Sequence, residues 1–392
     1  SLVEPLNDLG DEMTDLVVRL ANINSGSYNA AGVEKVVDLL DNEFSSLGGK
    51  ASRIKVAPKQ EVDDQGIIRE LELGPLLQIQ KRSELDRRVL LCIHSDTVYA
   101  EDSPFQKCQP LPNGNLNGPG VADAKGGLVV MLYALKMLEQ TELGRLLGWE
   151  VIINPDEELG SPGSEQILRD RATLADVGLL FEPALPDGSM VSARKGVGNF
   201  VFVVRGKSVH AGREFKNGRN AVTHCCRLMQ KIDELNQHDD VILNVGRIQG
   251  GAALNVVPDL CIGRINTRVK TVEQMEQLHS TLESLTQKFD QVDGFQVEMH
   301  GGFSSPPKEC IAQQLEMQRL IGQCASQLGR DLVWRETGGA SDGNKFSAVG
   351  LPNIDTMGPL GGSIHSFDEF LMPESLVESA KLTTLTLLSL TL

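Results

Sequence analysis

Apolar residues recur at helical spacing over Leu9 to Asn22 and again over Ala31 to Leu47, where Gly48-Gly49 closes the second stretch. The charge-rich region Lys59 to Glu72 lacks either period and reads as surface loop. Arg88 to His94, R-V-L-L-C-I-H, is a short continuous apolar run of the kind that forms a strand buried on both faces of a parallel sheet. Trp149 to Pro155 and Ala175 to Glu182 repeat the theme, an apolar strand with acids where it ends, and Leu128 to Leu138 is an apolar helical run between them. Alternating strands and helices predict an α/β sheet with helices on both faces. Ligands of such sheets bind outside the carboxyl ends of the strands, and His94, Asp96, Glu157, Glu158 and Glu182 fall there.

The texture changes near Val191. Strand-like Asn199 to Arg205, helical Asn220 to Leu235, strand-like Val241 to Ile248 and Val256 to Val269, helical Val272 to Phe289 and strand-like Phe295 to His300 follow in that order. This β-α-β-β-α-β order predicts a ferredoxin-like α+β unit inserted into the first domain. Pro306-Pro307 marks the return, after which helix Ile311 to Leu328, short strands and a last helix, Glu374 to Leu390, resume the α/β pattern. The expected division is a catalytic domain formed by residues 1–188 and 304–392, interrupted by an inserted domain at residues 189–303.

Composition narrows the partners. At 392 residues the chain has room for two or three cores, and its 41% apolar and 23% charged residues are ordinary for a globular protein. A formal charge of −16 leaves little to neutralise phosphates and argues against nucleic acid. The longest apolar run, Leu128 to Leu138, contains Lys136 and falls short of the roughly 20 residues that span a bilayer, so no membrane partner is expected. Ser1 to Gly10 is acidic and shows no leader pattern; the expected location is the cytoplasm, or the periplasm if a leader has been removed. Seven scattered cysteines, without a C-x-x-C pair, fit a reducing compartment, and Cys92, Cys225, Cys226 and Cys261 lie in apolar sequence.

The chemistry centres on N-G-P-G-V-A-D-A-K-G-G, residues 117–127. Its glycines and proline set a turn that presents Asp123 just before a helix, either as a cation ligand or as a plain helix cap. His94 and Asp96 form an H-x-D at a strand end, where a carboxylate can orient an imidazole as a metal ligand. Glu157-Glu158 follows a strand and Glu182 stands in F-E-P directly after another; each could equally be a surface or strand-end acid. His365 sits on the glycine-rich turn G-G-S-I-H-S, whereas His224, His238, His279 and His300 lie in helix or strand patterns and read as structural. Two histidines and several carboxylates at strand ends and tight turns suit Zn²⁺ or a similar ion, and a bridging acid suits two ions about 3.5–4 Å apart.

These motifs together resemble the M20 family of zinc peptidases and deacylases, which includes G2-type glutamate carboxypeptidase, succinyl-diaminopimelate desuccinylase, acetylornithine deacetylase and aminoacylase. The likeness covers nearly the whole chain after about residue 85. It rests on H-S-D-T-V (94–98), G-P-G-V-A-D-A-K-G-G (118–127), P-D-E-E-L-G-S-P-G-S (155–164), F-E-P (181–183), V-H-A-G (209–212), G-G-A-S-D-G-N (338–344) and G-P-L-G-G-S-I-H-S (358–366). The resemblance implies two Zn²⁺ per subunit, with Co²⁺ or Mn²⁺ as alternatives. It makes His94 and Glu182 ligands of one ion, Glu158 and His365 ligands of the other, and Asp123 the bridge, with a cis bond to Ala124. It further implies that Asp96 supports His94, that Glu157 is the general base, and that the inserted domain is a lid and homodimerisation surface. There His210 would stabilise an oxyanion, and Asn255 and Arg268 would hold substrate. Asn266 departs from the family's usual Asp two residues before that arginine, which leaves the orientation of Arg268 open.

The function so implied is hydrolysis of a peptide or N-acyl amide bond beside a free carboxylate in a small-molecule substrate, closest to a G2-type glutamate carboxypeptidase. The alternatives are a biosynthetic N-acyl amino acid deacylase and an inactive relative that only binds ligand.

Overall fold

The computed structural model describes residues 2–236 and 240–391, so His238 lies outside the described residues. A six-stranded sheet organises the larger half. Its strands in chain order are β1 (Lys50–Lys55), β2 (Pro75–Lys81), β3 (Arg88–His94), β4 (Gly148–Asn154), β5 (Val177–Leu180) and, far along the chain, β10 (Asn353–Ile354). They lie side by side as β1-β2-β4-β3-β5-β10, with β4, β3, β5 and β10 parallel and the first two antiparallel. The continuous apolar run of β3 is explained by its central place, with a parallel neighbour on each side.

Helices cover both faces. On one lie α1 (Gly10–Ala21), α2 (Ala30–Phe44), α3 (Gly127–Glu139), α7 (Ala312–Gln327) and α9 (Glu374–Ser389), sharing one large core with alternate residues of the sheet. On the other, α4 (Glu165–Ala172) and α8 (Gly343–Ala348) close a smaller core around Leu90, Cys92 and Ile152. Helix α3 is buried almost all round, which is why its sequence is apolar without a polar stripe.

The second sheet is built from β6 (Gly196–Arg205), β7 (Val241–Gly250), β8 (Leu260–Val269) and β9 (Gln296–Ser305), with α5 (Ala221–Asp233) and α6 (Val272–Asp290) packed on one face around Phe200, Phe202 and Leu228. The antiparallel order β7-β8-β6-β9 is that of a ferredoxin-like sandwich, as the element order predicts.

Two expectations need correction. Lys59 to Glu72 is not plain loop: Lys59–Val62 and Ile68–Leu71 pair as a hairpin. Its polar tip docks on the second sheet, where Asp64 lies 2.8 Å from Arg247 and 3.0 Å from Arg264, so the charges that hid the strand pattern serve a docking contact. Cys226, on α5, is exposed rather than apolar in setting. Among the described residues, no helix is long and apolar enough to cross a membrane.

Candidate metal centre

Each acid or imidazole of interest leaves the sheet where its strand ends. His94 is the last residue of β3, Glu157 and Glu158 start a 3₁₀ turn three residues after β4, and Glu182 stands two residues after β5. Asp123 comes from the turn Val121–Gly126, where it has non-helical backbone and makes no helix cap; its bond to Ala124 is cis. That turn depends on Gly120, whose φ of 74° belongs to the left-handed region and whose Cβ would meet Thr97 at 2.7 Å. His365 has a φ of 60° on the loop before α9.

Five of these side chains, all but Glu157, converge. One oxygen of Asp123 lies 3.1 Å from His94 Nε2, and the other lies 3.2 Å from His365 Nε2. Glu182 stands 3.8 Å from His94 Nε2, and Glu158 3.2 Å from His365 Nε2. The set therefore divides into two halves, His94 with Glu182 and His365 with Glu158, sharing Asp123. Ligand atoms of His94, Asp123 and Glu158 all fall within 4.8 Å of one another.

The support is as specific as the cluster. His94 Nδ1 lies 2.9 Å from the Asp96 carbonyl, which leaves Nε2 unprotonated toward Asp123 when Nδ1 carries the hydrogen. The Asp96 carboxylate accepts from the Glu157 and Glu158 amides, at 3.1 and 3.2 Å, and from the Ser27 hydroxyl at 2.6 Å. Asp96 thus sets the acidic turn as well as the imidazole, a wider role than the H-x-D spacing suggests.

Electrostatically the cluster is in deficit of positive charge. Burial pushes the carboxyls of Glu157 and Glu182 above their ordinary range and that of Glu158 up to about 7. Burial acts the same way on Asp123, but the His365 and His94 contacts prevail and hold it low. Asp123 and Glu158 in turn push His365 up to about 11. Glu158 Oε1 is buried with no hydrogen-bond partner. Crowded carboxylates, two imidazoles and an unpartnered buried oxygen fit hard or borderline divalent cations.

The cluster opens into a cavity of about 240 Å³ whose walls include Glu157, Arg194, Leu185, Val191 and Ile364. Of the residues expected from the inserted unit, His210 and Asn255 lie on adjacent segments, where His210 pairs with Val256 and the Ala211 amide donates to the Asn255 carbonyl; both residues are exposed and neither lines this cavity. The Gly212 amide donates to His210 Nδ1 at 3.1 Å, so the ring hydrogen sits on Nε2. Arg268 is nearer, donating to Gly338 beside the cavity and, through Nε, to Asn266 Oδ1 at 3.2 Å. The asparagine thus orients the arginine where an aspartate was expected.

Sequence reasoning missed several supports. Glu369, fully buried, accepts from Tyr99 and from three backbone amides of the Asp123 turn. Asp342, within the quoted G-G-A-S-D-G-N motif but given no role, accepts from Ser161 and Asn154 under the acidic turn. The signal for Glu369 was an acid four residues after His365, too common a spacing to single out in an acidic chain.

Residues 90–389 match the sequence profile of the peptidase family M20/M25/M40. The chain is 26% identical to carboxypeptidase G2 of Pseudomonas sp. (strain RS-16) over 360 residues, covering 89% of this chain and 81% of that protein. Acetylornithine deacetylase of Myxococcus xanthus is 26% identical over 270 residues, 64% of this chain and 66% of that protein. A tripeptidase structure from Staphylococcus aureus superposes with a TM-score of 0.76 at 20% identity, covering 97% of this chain and 98% of that one, which establishes the shared fold.

Proposed function

Because this chain belongs to the peptidase family M20/M25/M40, a family of metal-dependent hydrolases, we propose that it holds two zinc ions and cleaves a peptide or N-acyl amide bond beside a free carboxylate, with glutamate the favoured carboxyl-side residue. The observation that carries this reading is Asp123, which turns one carboxylate oxygen toward each histidine. His94 and Glu182 would hold one ion and Glu158 and His365 the other. When bound, such ions supply Lewis acidity to an amide carbonyl and acidify water.

The chain's own residues do the rest. Glu157 lines the cavity beside the ligand set, where its carboxylate takes a proton from attacking water and returns it to the leaving amine. Asp96 keeps Glu157 and Glu158 at their stations through their amides. Arg268, steadied by Asn266, offers a guanidinium for the substrate carboxylate; Asn255, paired through its carbonyl with the residue after His210, would join it from a second copy. His210 carries its hydrogen on the outward Nε2 and donates it to the developing oxyanion. It is exposed and does not line this chain's cavity, which fits delivery by the lid of a second copy in a homodimer. The similarity to carboxypeptidase G2 supports action at a carboxyl end, and the glutamate preference rests on the resemblance of the motifs.

The test is hydrolysis of a panel by the zinc-loaded protein beside Glu157→Gln: dipeptides and N-acyl amino acids ending in glutamate, N-acetylornithine and N-succinyl-diaminopimelate. Cleavage of glutamate conjugates by the unmutated protein only is expected. Preferential cleavage of the acylated diamino acids replaces the favoured substrate with the deacylase alternative. Equal turnover by Glu157→Gln removes the mechanism.

A further inference from the structure

Three separate segments bring His94, Asp123 and His365 together, and a cluster fed by three segments needs something to hold them in register. Glu369 stands where they meet. Its side chain is buried, with Oε1 accepting from the Ala122 and Asp123 amides, each at 3.0 Å. Oε2 accepts from the Gly120 amide at 3.1 Å. The Tyr99 hydroxyl, on the segment after the first strand end, donates its one proton to two acceptors on the last loop, Oε2 at 2.6 Å and the Ser366 carbonyl at 2.7 Å. The backbone repeats the stitching, since Asn117 donates through its amide side chain to the Phe367 and Glu369 carbonyls at 3.0 and 2.8 Å. A small sheet joins Leu116–Asn117 to Phe370–Leu371.

A carboxylate with both oxygens occupied by amides of one turn fixes that turn more firmly than neutral bonds would, because charge-assisted hydrogen bonds are roughly twice as strong. Here the clamped amides include that of Asp123 itself, so the direction of the Asp123 carboxylate follows from where Glu369 holds its backbone. Tyr99 is five residues after His94, and Glu369 four after His365.

We propose that Glu369, with Tyr99, is the positioning residue of the metal centre. It aims the Asp123 carboxylate between His94 and His365 and keeps the three ligand-bearing segments in register. It touches neither substrate nor ion, and it rests on the reading that Asp123 bridges two cations. Replacing it with glutamine keeps the shape, but turns one acceptor oxygen into an amide donor that must face the backbone amides it formerly received.

The experiment strips metal from the unmutated protein, Glu369→Gln and Tyr99→Phe, then titrates Zn²⁺ against a chromophoric chelator. Parallel samples are loaded with Co²⁺ for visible absorption, and unfolding of each metal-free protein is followed by circular dichroism. Outer ligand supports typically contribute about 10–100-fold to metal affinity, and a loss in that range is expected for Glu369→Gln, with an altered Co²⁺ band. Tyr99→Phe, which removes one shared proton, is expected to lose about 3–10-fold on the same scale, and it decides the matter if the glutamine variant fails to fold. Variants that are less stable without metal yet bind Zn²⁺ as tightly and show the same Co²⁺ spectrum would reduce Glu369 to a structural role and overturn the proposal. An unmutated protein that binds no Zn²⁺ would instead remove the metal reading beneath it.

Discussion

Asp342 and Asp355 are buried as deeply as Asp123 and Glu182, all within the larger half of the fold, yet the two groups are neutralised in different ways. Asp355 takes both Arg194, at 2.8 Å, and Lys308, at 2.8 Å, and these outweigh burial to hold its carboxyl well below the usual range. Asp342 has Lys345 at 2.9 Å, with Ser161 and Asn154 filling its remaining lone pairs. Around Asp123, Glu158 and Glu182 the ion-pair partners among the described residues are the imidazoles His94 and His365. The first group carries its own cations; the second is built to receive them. Buried charge is tolerated only when paired, and Arg194 in the cavity wall makes its ion pair with Asp355, so the carboxylates left without a lysine or arginine partner are the ones suited to a divalent ion.

Four substitutions or conditions would sharpen that contrast. Glu157→Gln, beside the group without built-in cations, should lower kcat by about 10²–10⁴-fold, the usual contribution of a positioned acid–base group, while the zinc content measured by atomic absorption stays unchanged. Asp355→Asn in the self-paired group should destabilise the fold by about 3–5 kcal/mol, since it leaves Arg194 and Lys308 without their carboxylate; urea unfolding of the metal-free protein reads this. Adding Zn²⁺ to stripped protein should raise stability by about 4 kcal/mol at a thousandfold excess over Kd, and that increment should survive Asp355→Asn but collapse in Asp123→Asn. Equal zinc responses in the two variants would erase the distinction.

A third kind of acid calibrates the scale away from the site. Burial would raise the Glu139 carboxyl, but hydrogen bonds from Arg82, Lys81 and Trp149 override it and lower it from 4.5 to about 2. Because the folded value lies below the unfolded one, its contribution is fully present above about pH 4.5 and is lost as pH falls toward 2, on the order of 3 kcal/mol at most. Glu139→Gln should therefore flatten acid unfolding in that window. The smallest effect belongs to Asn266→Asp: Asn266 already accepts from Arg268, and the Asn199 amide can turn to donate to the new carboxylate. A change in kcat/KM under about tenfold is expected, corresponding to at most the roughly 1.4 kcal/mol gained by charging one hydrogen bond.

Much of this was legible because its signals are local. The apolar run of β3 with His94 at its end, the glycine frame of Asp123 and the acids after β4 and β5 all announce themselves within a few residues. The β-α-β-β-α-β order was likewise readable, since each element keeps a clear period. What escaped depends on partners far along the chain. Strands β1 and β2 carry no such signal: β1 is a half-exposed edge strand, and β2 carries polar residues between its buried ones. Glu369 clamps amides 246–249 residues away, and Ser27 reaches Asp96 across 69. Asp342 and Asp355 look, in sequence, like any acid beside a glycine or an isoleucine; only the fold shows which were supplied with cations.

The most direct test of that difference is calorimetric titration of metal-stripped protein with Zn²⁺, run beside Asp123→Asn. Two ions per chain are expected for the unmutated protein and at most one tightly held ion for the variant, with both proteins folded. Two tight ions in each, or none in the unmutated protein, would contradict the assignment of Asp123 as the shared ligand of a two-ion centre.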